Sequence, residues 1–415
     1  LTVSLRARAR RAAPEVDLEP DEDPFGAPAI HKLVARYGSP LFLIDAGRLR
    51  TQYLRLAAAL PGVELHYAVK SLPHPGALAV LRDAGARFDL ATTGEVELMR
   101  ALEIAPERCI HTHPIKRDSD IRSALAYGVH RFVVDNAEEM RKFTRIRGRV
   151  SLLIRVAFRG RDALCDLSRK FGCEPEAVAP LLEEAAAHGL EVEGLSFHAG
   201  SQAASPARHA EAIKTCAVLL SQAAEQGHRL RTLDIGGGFP VDYGEGRTEP
   251  RAEPPAERSV LPIEEFCAPI RAALATLPPD IHLLAEPGRY LSAPAAIVVS
   301  SVMGRADRDG RRWYYLDDGL YGSYSGQVFD RVKYPLEALV PPRPRRPSVL
   351  AGPTCDSLDV IAEDIELPEL ELGDLVVGRS MGAYTWASAS EFNLFPRATV
   401  LTLDRGRRVM VESAA

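Results

Sequence analysis

The chain has 415 residues, 46% of them hydrophobic and 26% charged, with a formal net charge of −5 at pH 7. That length exceeds one typical core and suits two domains, and the mild acidity excludes the basic footprint of a nucleic-acid-binding protein. The longest apolar runs, such as residues 295–302, fall far short of a membrane span, so neither nucleic acid nor membrane is expected as a partner.

Residues 1–27 are basic and then acidic, contain proline and lack an apolar stretch; they read as a disordered tail, not a secretory signal. Six cysteines, at 109, 165, 173, 216, 267 and 355, form no CxxC pair and fit reduced thiols in a cytoplasmic enzyme. LFLID (41–45) reads as an extra strand ahead of the barrel that joins the C-terminal β domain. From there one theme repeats: a short apolar strand, a loop, then a helix-period stretch. Strands are predicted at 65–69, 87–92, 109–114, 131–136, 150–157, 192–200, 232–237 and 282–287. Helices are clearest in PGALAVLRDAGA, TGEVELMRALEI, DSDIRSALAYG and PEAVAPLLEEAAAHG. The last spaces Val178, Leu181, Leu182 and Ala185 to bury one face.

Eight strand–helix units predict an α/β fold, a (β/α)8 barrel over 46–285; an open doubly wound sheet is the alternative that shares this alternation. The barrel is preferred because Lys70, Asp89, His113, Arg155, His198, the glycine run 236–238 and Glu286 all fall at or just past strand ends. A closed barrel gathers those ends at one mouth. After Glu286, strand-like runs follow one another without long helices. They predict a second, mostly antiparallel β domain built from 286–415 together with 28–45. PPRPRRP (341–347) reads as an exposed turn, and 247–259 as a flexible excursion between the last two barrel units.

The strand-end residues suggest a chemistry. Lys70 closes HYAVK; held at a mouth, a lysine can have a depressed pKa and bond covalently to an aldehyde, although position alone also fits a surface lysine. Gly236, Gly237 and Gly238 let backbone N–H groups approach an anion, where barrels commonly bind phosphate. Glu286 can face a pyridine nitrogen and keep it protonated, with Arg289 one turn later near a phosphate or fixing the loop. His198 can stack on a flat ring and Ser201 can donate to phosphate, while either is also an ordinary packing residue. His111 and His113 form an H-x-H pair, but no third ligand follows at a suitable spacing, so no metal is expected. Cys355, beside Asp356 and Asp359, is a potential proton donor or simply a buried thiol.

Taken in order, HYAVK, SFHAGS, DIGGGFP, AEPGRY, DDGLYGS, GPTCDSLD and MGAYTWASASEFN resemble the fold-type III pyridoxal-phosphate decarboxylases from about Tyr37 to Thr402. GPTCDSLD and MGAYTWASASEFN are closest to the ornithine/lysine branch. The resemblance implies pyridoxal 5′-phosphate as cofactor, Lys70 as its Schiff-base lysine, Glu286 at the pyridine nitrogen and His198 stacked on the ring. It implies Ser201, Gly237, Gly238, Arg289 and Tyr384 around the phosphate, with Asp89 and Arg155 close to the lysine and ring. It further implies a head-to-tail homodimer in which Cys355 of the second subunit reprotonates Cα, and Asp356, helped by Asp330, holds the distal amine of the substrate. Decarboxylation of L-ornithine and/or L-lysine to the diamine is the expected reaction. The chain departs from that branch at Phe329-Asp330-Arg331, where Tyr-Asp-His is usual. Arg331, if it points into the pocket, favours an acid-bearing substrate, and Arg159 and Arg161 add further charge. Diaminopimelate, or a modified amino acid of a biosynthetic pathway, is therefore the alternative substrate; an inactive regulatory homologue and a racemase of the same fold are the alternatives in kind.

Overall fold

A computed structural model describes residues 23–158, 163–165, 167–244, 260–404 and 407–412. The sequence readings for residues 1–22, for the 247–259 excursion and for Arg159 to Arg161 lie outside the described residues.

Eight parallel strands close into a barrel: Val63–Ala68, Arg87–Leu90, Cys109–His111, Arg131–Val134, Ser151–Val156, Glu191–Phe197, Thr232–Asp234 and His282–Ala285. Their period of two divides the side chains. Phe88, Leu90, Phe132, Val134, Leu152 and Ile154 join the large core shared with the helices, whereas Val133, Leu153 and Leu284 form a small cluster of their own. That small cluster lies on the other face of the strands, toward the barrel interior. Extending the alternation puts Asp89, between Phe88 and Leu90, on the interior face. Arg155 lies two positions beyond Leu153, and Glu286 two beyond Leu284, on that same face at the mouth.

The helices follow the expected periodicity. Val178–Ala187 buries Val178, Leu181, Leu182 and Ala185. One helix departs from the simple count of eight strand–helix units. The last barrel strand is followed by a single turn, Arg289–Ser292, and the outer ring is completed by Ala46–Ala59, which precedes the first strand. It packs between the helices Ile263–Leu274 and Pro75–Asp83.

The second unit is a nine-stranded sheet. Its long strand Ala296–Arg308 pairs antiparallel with Leu41–Asp45, Arg311–Leu316 and Leu375–Gly378, and Leu41–Asp45 also lies parallel to Thr399–Asp404. Two sequence readings need correction. Structure begins upstream of residue 28: Gly26 N–H donates to Asp23 O (2.9 Å), and the helix Ala27–Tyr37 buries Ala29, Ile30 and Leu33. The proline-rich 341–347 segment is not all turn, because a strand starts at Arg345 and includes Pro347. Pro347 is tolerated there because it pairs only with Glu366 on one side; pairing to the other neighbour begins at Ser348.

Candidate active site

The first barrel strand runs into one 3-10 turn, Val69–Ser71, which carries Lys70. Its backbone is pinned. Ser71 Oγ lies 2.9 Å from Ala68 O and 2.8 Å from Tyr67 Oη, and Tyr384 N–H donates to Ser71 O (2.9 Å). The lysine side chain reaches into the open mouth, 46% accessible, where Nζ donates to Asp89 Oδ2 at 2.7 Å. Asp89 is buried, and its other oxygen accepts from Thr112 Oγ1. Burial alone would depress the Lys70 pKa, as the sequence reading expects. The negative charge of Asp89, which also accepts the Lys70 hydrogen bond, outweighs it and holds the ammonium above the ordinary lysine range. The lysine is therefore charged while it is paired with Asp89.

Deeper in the barrel lie two acids. Burial raises both, Asp234 up to about 6 and Glu286 well above the usual carboxylate range, with the charges of Asp234 and Asp89 adding to the effect on Glu286. Asp234 Oδ1 accepts from Gly236 N–H (2.9 Å), while Oδ2 meets no N–H or hydroxyl donor. The hydrogen bond between the two acids exists only when one carries a proton, and Glu286 is the one that holds it. Arg155 faces the same space. Burial lowers its pKa against the pull of neighbouring acids, Asp135 and Asp89 among them, and its guanidinium sits 5.6 Å from the Phe171 ring centroid.

The glycine loop closes over this pair. Gly236 (φ +64°) and Gly238 (φ +105°) take left-handed conformations, and an added Cβ would lie 2.2 Å from Phe197 O and 2.4 Å from Gly200 O respectively. At Gly237 a Cβ would lie 2.7 Å from Glu286 O and 3.1 Å from His198 Nε2. Gly237 N–H and Gly238 N–H donate to nothing among the described residues, which leaves two adjacent donors for an anion. The His198 Nδ1 accepts from Gly200 N–H (3.0 Å). Burial, then Arg155 and Lys70, hold that ring well below the ordinary histidine pKa, so it is neutral with its proton on Nε2.

Arg289 completes the mouth. Its guanidinium donates to Ser201 Oγ (2.9 Å) and Tyr243 Oη (3.0 Å), pairs with Asp330, and lies 5.0 Å from the Tyr384 ring centroid. Burial opposes its charge, but Tyr243, Asp330 and Tyr384 hold it above the usual guanidinium pKa. Asp330, which the resemblance assigns to the substrate amine, is thus engaged with Arg289 within the protomer. The neighbouring Arg331 is exposed and adopts φ +54°.

Cys355 and Asp356 lie on the loop between the strands Arg345–Ala351 and Val360–Pro368. Cys355 is exposed, and its N–H donates to Asn393 Oδ1 (2.9 Å); Asp356 accepts from Tyr321 Oη and from Leu358 N–H (2.9 Å). Buried Asp359 shapes this loop by accepting from Leu320 N–H (2.7 Å) and Thr354 Oγ1 (2.7 Å). No hydrogen bond or ion pair among the described residues joins Cys355 or Asp356 to the barrel mouth. Beside them are two exposed apolar side chains, Leu358 (74%) and Leu394 (88%), the latter next to Asn393. The H-x-H pair diverges. His111 packs against Phe132 (5.6 Å between centroids), His113 accepts from Ile115 N–H (3.1 Å), and Thr112 between them turns to Asp89. No group of three metal-ligating side chains occurs among the described residues.

An open lysine beside a carboxylate, a buried acid that holds a proton, a neutral imidazole and a loop that leaves no room for a β-carbon fit a flat phosphorylated aldehyde. Residues 46–293 match the family model for the pyridoxal-dependent decarboxylase, pyridoxal binding domain. The chain belongs to that family. It is a pyridoxal-phosphate-dependent amino-acid decarboxylase. It is similar to the lysine/ornithine decarboxylase of Selenomonas ruminantium, 34% identical over 90% of this chain and 92% of that protein. It is also similar to antizyme inhibitor 2 of Xenopus laevis, 35% identical over 86% and 80%. The crystal structure of lysine/ornithine decarboxylase complexed with putrescine from Vibrio vulnificus superposes with a TM-score of 0.84 at 50% identity, covering 91% of this chain and 98% of that one.

Several residues of this decarboxylase site escape sequence reasoning. Asp234 stands in the quoted DIGGGFP segment, and strand alternation from Thr232 would have turned it inward. Thr112 sits inside the H-x-H pair that drew attention to its neighbours. Tyr243 carries no local signal, because it reaches Arg289 only through the fold. No described helix is long and apolar enough to cross a membrane.

Proposed function

We propose that this decarboxylase acts on L-ornithine and L-lysine and releases the corresponding diamines. One observation carries the substrate assignment: half of the aligned residues are shared with a lysine/ornithine decarboxylase whose crystal structures hold putrescine and cadaverine. On this reading the barrel of residues 46–285 binds the cofactor, the sheet domain comprises 28–45 and 286–415, and the enzyme works in the cytoplasm as a homodimer.

Bound pyridoxal phosphate supplies a ring that takes up the electron pair left when the α-carboxylate departs as carbon dioxide. The chain's own residues do the rest. Lys70 is the covalent anchor for the aldehyde, with Asp89 and Arg155 setting the charge beside it. Glu286, with the proton it holds, would face the ring nitrogen, and neutral His198 would lie against the ring face. Ser201, Gly237, Gly238, Arg289 and Tyr384 would hold the phosphate. Cys355 of one protomer delivers the proton to Cα in the other, and Asp356 beside it meets the distal amine, with Asp330 near. The absence, among the described residues, of any hydrogen bond or ion pair between Cys355 or Asp356 and the mouth, and the exposed Leu358 and Leu394 beside them, support a site shared between two copies.

A second reading, a regulatory homologue without turnover, follows from the similarity to antizyme inhibitor 2; the retained Lys70, Glu286 and Cys355 weigh against it. Carbon dioxide release from L-ornithine, L-lysine, L-arginine and meso-diaminopimelate distinguishes the substrates. Release from ornithine or lysine, lost in Lys70→Ala, supports the diamine reading. Release from diaminopimelate alone overturns it and makes Arg331 the recognition residue. Silence with all four, with cofactor absorbance intact, refutes it.

A further inference from the structure

The glycine loop is held from outside by two side chains that the reaction itself does not use. Gln202 follows Ser201 at φ +54°, a left-handed conformation unusual for a non-glycine residue. Its carboxamide pairs twice with one residue: Nε2–H donates to Val241 O (2.9 Å) and Oε1 accepts from Val241 N–H (2.7 Å). His209, wholly buried on the inner face of the helix Ala207–Glu225, donates from Nε2 to Gly237 O (3.0 Å). Its ring stacks on Phe239, with centroids 5.4 Å apart, and meets Phe266 edge-on at 5.9 Å. Next to Gln202, Ala203 N–H donates to Gly238 O (3.0 Å).

The consequence is directional. With the carbonyls of Gly237 and Gly238 tied outward and Val241 locked at the far end, the free N–H groups of Gly237 and Gly238 are fixed in orientation before any anion arrives. Preorganised donors bind an anion more tightly than donors that must first be ordered. We infer that Gln202 and His209 are positioning residues that aim the glycine-loop N–H groups at the cofactor's phosphate. This rests on the reading of that loop as the phosphate cradle.

The test compares pyridoxal phosphate with pyridoxal, which lacks the phosphate, by equilibrium dialysis against the full-length protein. His209→Phe keeps the stacked ring but leaves Gly237 O without its donor; Gln202→Ala releases Val241; Ser201→Ala probes the cradle itself. Each of the first two weakens pyridoxal phosphate by about tenfold, the order expected when a buried carbonyl loses its donor, and leaves pyridoxal unchanged. Equal weakening of both compounds, or a lowered melting temperature accounting for the loss, would mean a general packing role and overturn the inference. Unchanged phosphate preference in both variants, while Ser201→Ala loses it, overturns it as well. Full phosphate preference in all three variants defeats the cradle reading instead.

Discussion

The Asp234→Asn substitution isolates the cost of keeping two carboxyl groups inside the barrel. Asp234 is fully buried and its pKa is raised from 3.8 to about 6. At about 1.4 kcal/mol for each tenfold change in proton affinity, that displacement is worth about 3 kcal/mol. The sign follows from linkage. An acid that binds its proton more tightly when folded costs nothing below the unfolded pKa, near 4, costs progressively more as the pH rises, and reaches its full cost above about 6. Asparagine does not titrate; its oxygen still accepts from Gly236 N–H and its amide can donate to Glu286. The variant should therefore match the wild type near pH 4 and exceed it by up to about 3 kcal/mol at pH 7. An unfolding entropy of about 2.1 cal/mol/K per residue, over the whole chain, converts this to roughly 3–4 °C in Tm. Calorimetry of the cofactor-free protein from pH 4 to 8 reads it. A difference that is constant with pH, or a less stable variant at pH 7, would refute the reasoning about the acid pair. A wild type less stable than its variant carries the pair for function, as active-site strain commonly is carried.

Two other outcomes follow from the same geometry. Lys116 is buried and held by the carbonyls of His113 (3.0 Å), Pro114 (3.1 Å) and Val133 (2.6 Å), with its pKa pushed down to about 8 by burial. Lys116→Met leaves these oxygens and one side of Glu139 without a cation and should cost about 2–4 kcal/mol in urea unfolding; a neutral change would show that the network contributes nothing. Mixing Lys70→Ala with Cys355→Ala protein should restore about a quarter of wild-type turnover, because half of the random dimers then hold one intact site. No recovery on mixing would contradict a site shared between subunits.

Much of this was legible from residue order. Strands announce themselves by short apolar runs, and the residues that end them, Lys70, Asp89, Arg155, His198, the glycine run and Glu286, converge because a closed barrel brings all its strand ends to one mouth. The helix Ala46–Ala59 was not legible as part of the ring: nothing local marks a helix before the first strand as the one that fills the gap after the eighth. The pairing of Leu41–Asp45 with Thr399–Asp404 is equally silent, since a strand carries its own periodicity but not the identity of its neighbour. The pKa of Lys70 reversed the expectation for a related reason. A strand-end position is foreseeable from the sequence, but a carboxylate 2.7 Å from that nitrogen, Asp89, is a property of distances. Asp330 shows the same limit, for it follows an exposed phenylalanine in sequence and meets a buried arginine in space. Residue types and their strand-end positions determined the chemistry available to this protein. Which of those groups are charged, and which are already paired, was decided by the tertiary structure, because electrostatic energies depend on separations that chain order does not contain.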